Sequence, residues 1–296
     1  MTLALSRYAG SHADLAATRP ELFPLPAPGA PAVVPFCGAG GPVFELYAGR
    51  YPLVLSDKNA RLVNAWVQVR DDVEPVIERL DYLARERTAF GTLDRDAFDL
   101  EGRKHFEHVR AELDNGEPAV RAACMLFVLR ASFNGLWRVN QDGACNSPHG
   151  KPDPDTDLVR ADDLRRMSAL LQGAVIRCED FERTLRDAGP GAAVYLDPPF
   201  QGTHTAYCAD GHEWEAKQAT LPGLGEQSAR ERLASLLPEL HERGARWSLS
   251  DAHNRVTERL YAGWPCVPIT RKNSVTCKGD QRGDGAAEGL WRNHWT

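Results

Sequence analysis

Apolar runs and helical periodicities follow one another along this chain in a definite order. Ala32-Val33-Val34 lies at the end of a Pro-rich stretch, residues 20–35, and is short and wholly apolar, as a buried strand is. It leads into a glycine-rich turn. A second run, residues 51–55, ends at Asp57 and passes into a helical pattern that continues through Trp66. Strand, turn, helix, strand and helix in that order open a Rossmann-like sheet. The pattern then changes. Residues 71–87, 94–113 and 118–130 read as amphipathic or buried helices with no strand between them, which marks an insertion. It closes with Trp137-Arg138-Val139-Asn140 and Ala144-Cys145-Asn146 on either side of Gln141-Asp142-Gly143, a hairpin signal. Alternation resumes after Asp157. Strands are predicted at 174–178, 192–196, 245–249 and 266–270 and near Leu290, with helices at 161–171, 227–242 and 254–261. Residues 203–225 have no clear period, and a loop that long in a compact domain is usually functional or mobile. The expected fold is α/β, a Rossmann-like mixed sheet with helices on both faces. Residues 1–69 and 155–296 would form the main domain, and 70–154 an inserted, mainly helical domain carrying a β-hairpin.

Composition adds exclusions. With 296 residues, 43% hydrophobic and 26% charged, the chain can bury a sizeable core. No stretch approaches the roughly 18 apolar residues of a membrane span. The first residues lack a basic start and a long apolar segment, which argues against secretion. The 7 cysteines are scattered and form no CxxC pair, so they read as reduced cytosolic thiols and not as a zinc site. His105 and His108, in an acidic helix, read as surface residues, and no metal is expected. A net charge of -6 argues mildly against a nucleic-acid partner, but phosphate contacts depend on local charge. Between 121 and 151 the charges are Arg121, Arg130, Arg138 and Lys151 against Asp142 alone. Between 265 and 285, Arg271, Lys272, Lys278 and Arg282 outnumber Asp280 and Asp284.

Two constellations bear chemistry. In Pro35-Phe36-Cys37-Gly38-Ala39-Gly40-Gly41-Pro42-Val43-Phe44, glycines directly after a strand let backbone come close to a ligand. Asp57 ends the next strand, where a carboxylate can accept both ribose hydroxyls of an adenosine-type cofactor. Its plainer role is a helix N-cap. In Tyr195-Leu196-Asp197-Pro198-Pro199-Phe200, the prolines force the chain out of the sheet at its carboxyl edge. An acid there suits an exocyclic amine such as adenine N6, whose lone pair is delocalised into the ring. If Asp197 and the Pro198 carbonyl accept its two N–H bonds, the nitrogen is drawn toward tetrahedral geometry and can attack an activated methyl. Phe200 would stack on the extruded base.

These turns resemble the FxGxG and DPPY motifs of amino-methyltransferases, in the order of their alpha group. Ser132-Phe133-Asn134-Gly135-Leu136-Trp137-Arg138-Val139-Asn140, then Gly143, Asn146, Pro148 and Gly150, resembles the signature of Dam-type (D12 class) DNA adenine-N6 methyltransferases. Arg7-Tyr8-Ala9-Gly10-Ser11-His12 is similar to that family's KWAGGK segment, and Lys278-Gly279-Asp280 with Arg282-Gly283 to its C-terminal loop. The resemblance implies a class I methyltransferase fold, S-adenosylmethionine as cofactor, double-stranded DNA as substrate with the target adenine flipped out, a cytoplasmic location and a possible cognate restriction endonuclease. It places Tyr8, Gly10, His12, Phe36, Gly38, Gly40, Asp57, Asp180 and Phe181 at the cofactor, with Asp180 on its adenine amine. It makes Asp197, Pro198, Pro199 and Phe200 catalytic. It puts Arg7, Phe133, Asn134, Leu136, Arg138, Asn140, Asn146 and Pro148 on the DNA, with Arg138 suited to a guanine edge. Phe133, Leu136 and Trp137 read as an exposed wedge, the alternative being core packing.

The departures fall in two places. Val34 stands where the family has an acid, one extra residue sits near Gly41-Pro42, and His12 replaces a lysine. These changes imply either a weaker hold on the cofactor's methionine tail or a cofactor carrying a group other than methyl. Phe200 replaces a tyrosine. Ser147 and His149 replace apolar residues at the hairpin, so GATC recognition is not inherited. Two other functions compete: an amino-methyltransferase of RNA or another exocyclic amine, and a DNA-binding relative without turnover.

Overall fold

The structure is a computed structural model that describes residues 3–5, 12–140, 142–199, 228–271 and 286–294. Seven strands form one sheet: β1 (Ala32–Val34), β2 (Leu53–Asp57), β3 (Val175–Cys178), β4 (Ala193–Leu196), β5 (Arg246–Ala252), β6 (Cys266–Arg271) and β7 (Ala286–Arg292), in the order β3-β2-β1-β4-β5-β7-β6. The first five run parallel, and β7 lies antiparallel between β5 and β6. Every strand expected from an apolar run is present. Strand order reverses between β1 and β4, which pair Ala32 with Ala193 and Val33 with Val194. At such a reversal the connections leave to opposite faces, and a crevice opens at the carboxyl ends.

The period-2 alternation of the strands separates two cores. Ala32, Val34, Leu53, Leu55 and Tyr195 face a core shared with helices α2 (Ala60–Asp71), α5 (Pro118–Ala131) and α6 (Ala161–Leu170). Val33, Val54, Val194, Leu196, Trp247 and Leu249 face the other, covered by α7 (Phe181–Thr184), α8 (Ala229–Glu242) and the segment just after α9 (Arg255–Leu260). The helical part, α3 (Val73–Thr88), α4 (Arg95–Ala111) and α5, joins the first core through Leu80, Phe106 and Leu129. Helix α5 is buried without a break over residues 122–129, as expected of a helix that is apolar all round. One continuous core therefore crosses residues 70 and 154. None of the described helices is long and apolar enough to cross a membrane.

Several expectations need correction. The hairpin is reduced to single bridges, Val139 with Cys145 and Ser132 with His149, because its strands are too short for a ladder. His105 is buried and contacts the Leu83 carbonyl at 3.1 Å, while His108 is exposed. Arg130, counted among the basic surface charges, is a half-buried strut whose guanidinium donates to the carbonyls of Leu5 (3.0 Å) and Leu158 (2.7 Å). Burial pushes its pKa down to about 9. The short helices α1 (Ala13–Thr18) and α7 carry too few residues to show a period in sequence. A π-helical turn at Val43–Tyr47, closed by the Ala48 N–H on the Val43 carbonyl at 2.8 Å, follows the glycines. An i→i+5 turn takes one residue more than an α turn.

Candidate active site

The glycine turn after β1 is shaped by packing as much as by ligand access. Gly40 has φ +79°, and a Cβ there would lie 2.3 Å from the Trp66 ring. Trp66, on α2, stacks on Phe44 at 5.5 Å and donates from Nε1 to the Gly38 carbonyl at 2.8 Å. Asp57 ends β2 beside this turn. Its Oδ2 accepts from the Gly38 N–H at 3.1 Å and its Oδ1 from the Asn59 N–H at 2.9 Å. Asp57 is not the cap of α2. That is Asn59, whose side chain accepts from Arg61 and Leu62 N–H. Burial pushes the Asp57 carboxyl up from its ordinary range, against the pull of these N–H groups and that of Lys58. Phe36 stacks on Phe181 at 5.4 Å, and Asp180 caps α7 through the Glu182 N–H at 3.0 Å. Asp180 also meets Lys58 (3.5 Å) and Arg232 (3.4 Å).

On the other side of the reversal, β4 delivers Asp197. Its side chain is 22% exposed, Pro198 is buried and Pro199 half-buried. Asp197 Oδ2 lies 2.9 Å from His12 Nδ1. His12, expected at the cofactor, is wholly buried here, and its Nε2 meets Glu288 Oε1 on β7 and Ser250 Oγ on β5 (3.1 Å). Burial alone would strip the imidazolium of its proton. The Asp197 charge, then the hydrogen bonds to Asp197 and Glu288, outweigh it and raise the pKa to about 9. Behind this group Asp251 is buried against Arg230 (2.9 Å) and the Tyr261 hydroxyl (2.8 Å), with burial lifting its pKa to about 6.

The stretch 132–150 folds as a loop braced on the helices. Phe133 and Leu136 are half-buried, and Asn134 is exposed at φ 52°. Trp137 is not part of a wedge. It is 1% exposed in the core, with Arg61 over its ring at 5.9 Å. Arg138 donates from Nε to Asn146 Oδ1 at 2.9 Å and also to the Asn146 carbonyl at 3.2 Å. Asn140 Oδ1 accepts from the N–H groups of Asp142 (3.1 Å) and Ala144 (2.8 Å), which shapes the turn. The Pro148 carbonyl accepts from the Phe133 N–H at 2.9 Å. Ser147 is buried, its hydroxyl accepting from the Arg138 N–H at 3.0 Å, and His149 packs on Phe106 at 5.1 Å. These two substitutions thus sit against the helices. Arg7, Tyr8, Gly10, Phe200 and the segment around Lys278 and Arg282 lie outside the described residues.

The D12 class N6 adenine-specific DNA methyltransferase family matches residues 8–275. The chain belongs to this family. Type II methyltransferase M.MjaIII of Methanocaldococcus jannaschii is 28% identical over 270 residues, 88% of each chain. The DNA adenine methylase of Haemophilus influenzae is 28% identical over 254 residues, 84% of this chain and 80% of its own. The DNA N-6-adenine-methyltransferase of Escherichia phage P1 is 31% identical over 262 residues, 85% of this chain but 30% of its own. The observed sheet is thus the Rossmann-like fold of a D12 methyltransferase. Sequence reading missed the buried polar cluster of this methyltransferase, Glu288, Ser250, Asp251 and Arg230. The available signal was the run Ser248-Leu249-Ser250-Asp251, which puts polar residues into an otherwise buried strand. Among the described residues, no group of His, Cys, Asp and Glu is placed to hold a metal.

Proposed function

We propose that this methyltransferase transfers the methyl group of S-adenosylmethionine to N6 of an adenine turned out of duplex DNA, with Asp197 at the target amine. The observation that carries this reading is the placement of Asp197 at the carboxyl end of β4, across the strand reversal from the glycine turn, with one carboxylate oxygen fixed by His12. The residues present fit the cofactor. Backbone N–H groups of Gly38, Asn59 and Lys58 hold the Asp57 carboxylate in place, and a carboxylate has about four acceptor sites, so one is left for a ribose hydroxyl. Phe36, Asp180 and Phe181 flank the next strand end. When bound, the cofactor supplies a methyl group already activated on a sulfonium.

The protein's part is positioning. Asp197 and the Pro198 carbonyl accept hydrogen bonds from the two amine N–H groups and turn the nitrogen lone pair out of the ring plane; once the N–CH3 bond forms and the sulfonium S–CH3 bond breaks, the one surplus proton leaves the nitrogen toward the Asp197 carboxylate. Phe200, which follows Pro199 in the sequence, would stack on the base, which pays part of the cost of leaving the duplex. Residues 70–154 read the DNA, through Asn134 at the exposed tip, half-buried Phe133 and Leu136, and Arg138 held ready by Asn146. The reaction belongs in the cytoplasm, and a cognate endonuclease is the partner its product would protect against.

The test is transfer of labelled methyl to duplex DNA and to RNA, with N6-methyladenine identified after digestion. Transfer to DNA alone is expected. Asp197→Ala should lose about 10²–10³-fold or more in rate while still binding S-adenosylhomocysteine. Label on RNA, or near-normal turnover by the variant, refutes the reading.

A further inference from the structure

We propose that His12 is a positioning residue of the catalytic turn, a cationic link that ties Asp197 to Glu288 and sets which carboxylate oxygen faces the target amine. The inference rests on Asp197 being the residue at that amine. His12 precedes α1 and reaches the far edge of the crevice from the opposite end of the chain to β7. Among the described residues, the titratable and polar side chains bonded to its ring include Asp197 after β4, Ser250 on β5 and Glu288 on β7. The Tyr195 ring stands edge-on at 6.2 Å. Ser250 donates to Glu288 Oε1 at 2.6 Å, so Glu288 is itself oriented. Among the described residues, Asp251 and Arg230 lie behind this group and pair with each other, Asp251 also feeling the Asp197 charge.

A neutral imidazole has one N–H and satisfies one carboxylate, leaving a lone pair against the other. Only the protonated ring donates to both. In a buried site an unmatched carboxylate is costly, so the link holds while His12 carries its proton. Asp197 Oδ2 is then engaged, and Oδ1 is the oxygen left to the amine. The ring's pKa is raised, so the link is complete at neutral pH and is lost as pH rises through about 9. A lysine here would keep the charge without the rigid two-ended reach of the imidazolium.

The experiment measures single-turnover methyl transfer to a duplex oligonucleotide across the alkaline range, beside calorimetry with S-adenosylhomocysteine and thermal melting. The wild type should show an alkaline fall in rate with a midpoint near pH 9. His12→Gln should abolish that limb and lower the rate about 10- to 100-fold at neutral pH, with little change in cofactor affinity. Glu288→Gln should move the limb to lower pH, and His12→Lys should recover part of the rate and move it up. A limb unmoved in all three variants overturns the proposal. So does a loss of rate that is equal at every pH and tracks a lower melting temperature. Full turnover by Asp197→Ala would overturn the Asp197 assignment and the link with it. An inactive Asp197→Ala beside a His12→Gln with the wild-type profile overturns the link alone.

Discussion

The two turns that meet at the strand reversal are held in opposite ways. The glycine turn is fastened by neighbours: Asp57, 19 residues from Gly38, and Trp66, 28 residues from it. Its ties are backbone N–H groups on the Asp57 carboxylate, the Trp66 indole N–H on a backbone C=O, and an aromatic stack. The Asp197 turn is fastened by His12, 185 residues away, which in turn meets Glu288 276 residues from itself. Its ties are charges in a buried place. A local fastening of backbone, ring and a single carboxylate makes a rigid platform, and damage there should appear as lost stability and lost cofactor affinity. A network of buried charges drawn from distant parts of the chain depends on protonation, and damage there should appear in the rate and its pH dependence.

The largest effect is expected on the platform. Gly40→Ala places a side chain at φ +79° and within 2.3 Å of Trp66. The left-handed backbone costs about 1–2 kcal/mol, and forcing the ring aside costs about 1–3 kcal/mol more. Thermal melting should drop accordingly, with S-adenosylhomocysteine binding weakened. Shrinking the ring in Gly40→Ala/Trp66→Phe should recover the packing part only. A Gly40→Ala protein that melts like wild type but turns over slowly would break the comparison, because the platform would then act on rate.

Next in size is Asp57→Ala. Charge-assisted hydrogen bonds are worth about 1.5–3 kcal/mol, so the dissociation constant for S-adenosylhomocysteine should rise about 10- to 150-fold. Single-turnover rate at saturating cofactor should stay near wild type. An unchanged affinity would reduce Asp57 to a fastener of the glycine turn.

The same contrast explains what could be read in advance. The glycine turn, Asp57, the strands and their order of appearance are local patterns, so the platform was legible residue by residue. The turn after β4 was legible as Asp197-Pro198-Pro199, but not its support. Nothing near His12 in sequence points to Glu288, and a lone histidine shows its partners only after the sheet forms. Trp137 and Arg130 misled for the same reason. An aromatic beside an arginine, or a basic residue at a helix end, looks like surface until α5 is seen to run through the core. The sequence offered Asp57 as a helix cap, and the cap proved to be Asn59, two residues on, which only the backbone geometry decides.

A smaller and more selective effect is expected at Arg138. Its guanidinium is held against Asn146, which fixes the plane it presents. If it reads a guanine edge, Arg138→Ala should lose about 1–3 kcal/mol of discrimination at one base pair. Methylation of all single-base variants of the site, at fixed salt, checks this. A uniform loss across variants would make Arg138 a phosphate clamp instead.

The smallest effect is expected at His149→Phe, and it carries a sign that can be tested. The ring packs on Phe106 at 5.1 Å, its Nδ1 is buried without a hydrogen-bond partner, and burial lowers its pKa to about 4. Phenylalanine keeps the ring and removes the polar atom, so at neutral pH stability should change by less than about 1.5 kcal/mol, as volume-conserving swaps do. Below the ordinary histidine pKa of 6.5 the unfolded chain takes up a proton that the folded chain refuses until about pH 4. The wild type therefore loses stability from this group as pH falls through that window, and the variant does not. The melting advantage of His149→Phe should be larger at pH 5 than at pH 7.5, and its methylation pattern should match wild type because the ring stacks on α4. An equal shift at both pH values would mean that the ring titrates normally at the surface. In that case a change in recognition sequence would become the expected companion result.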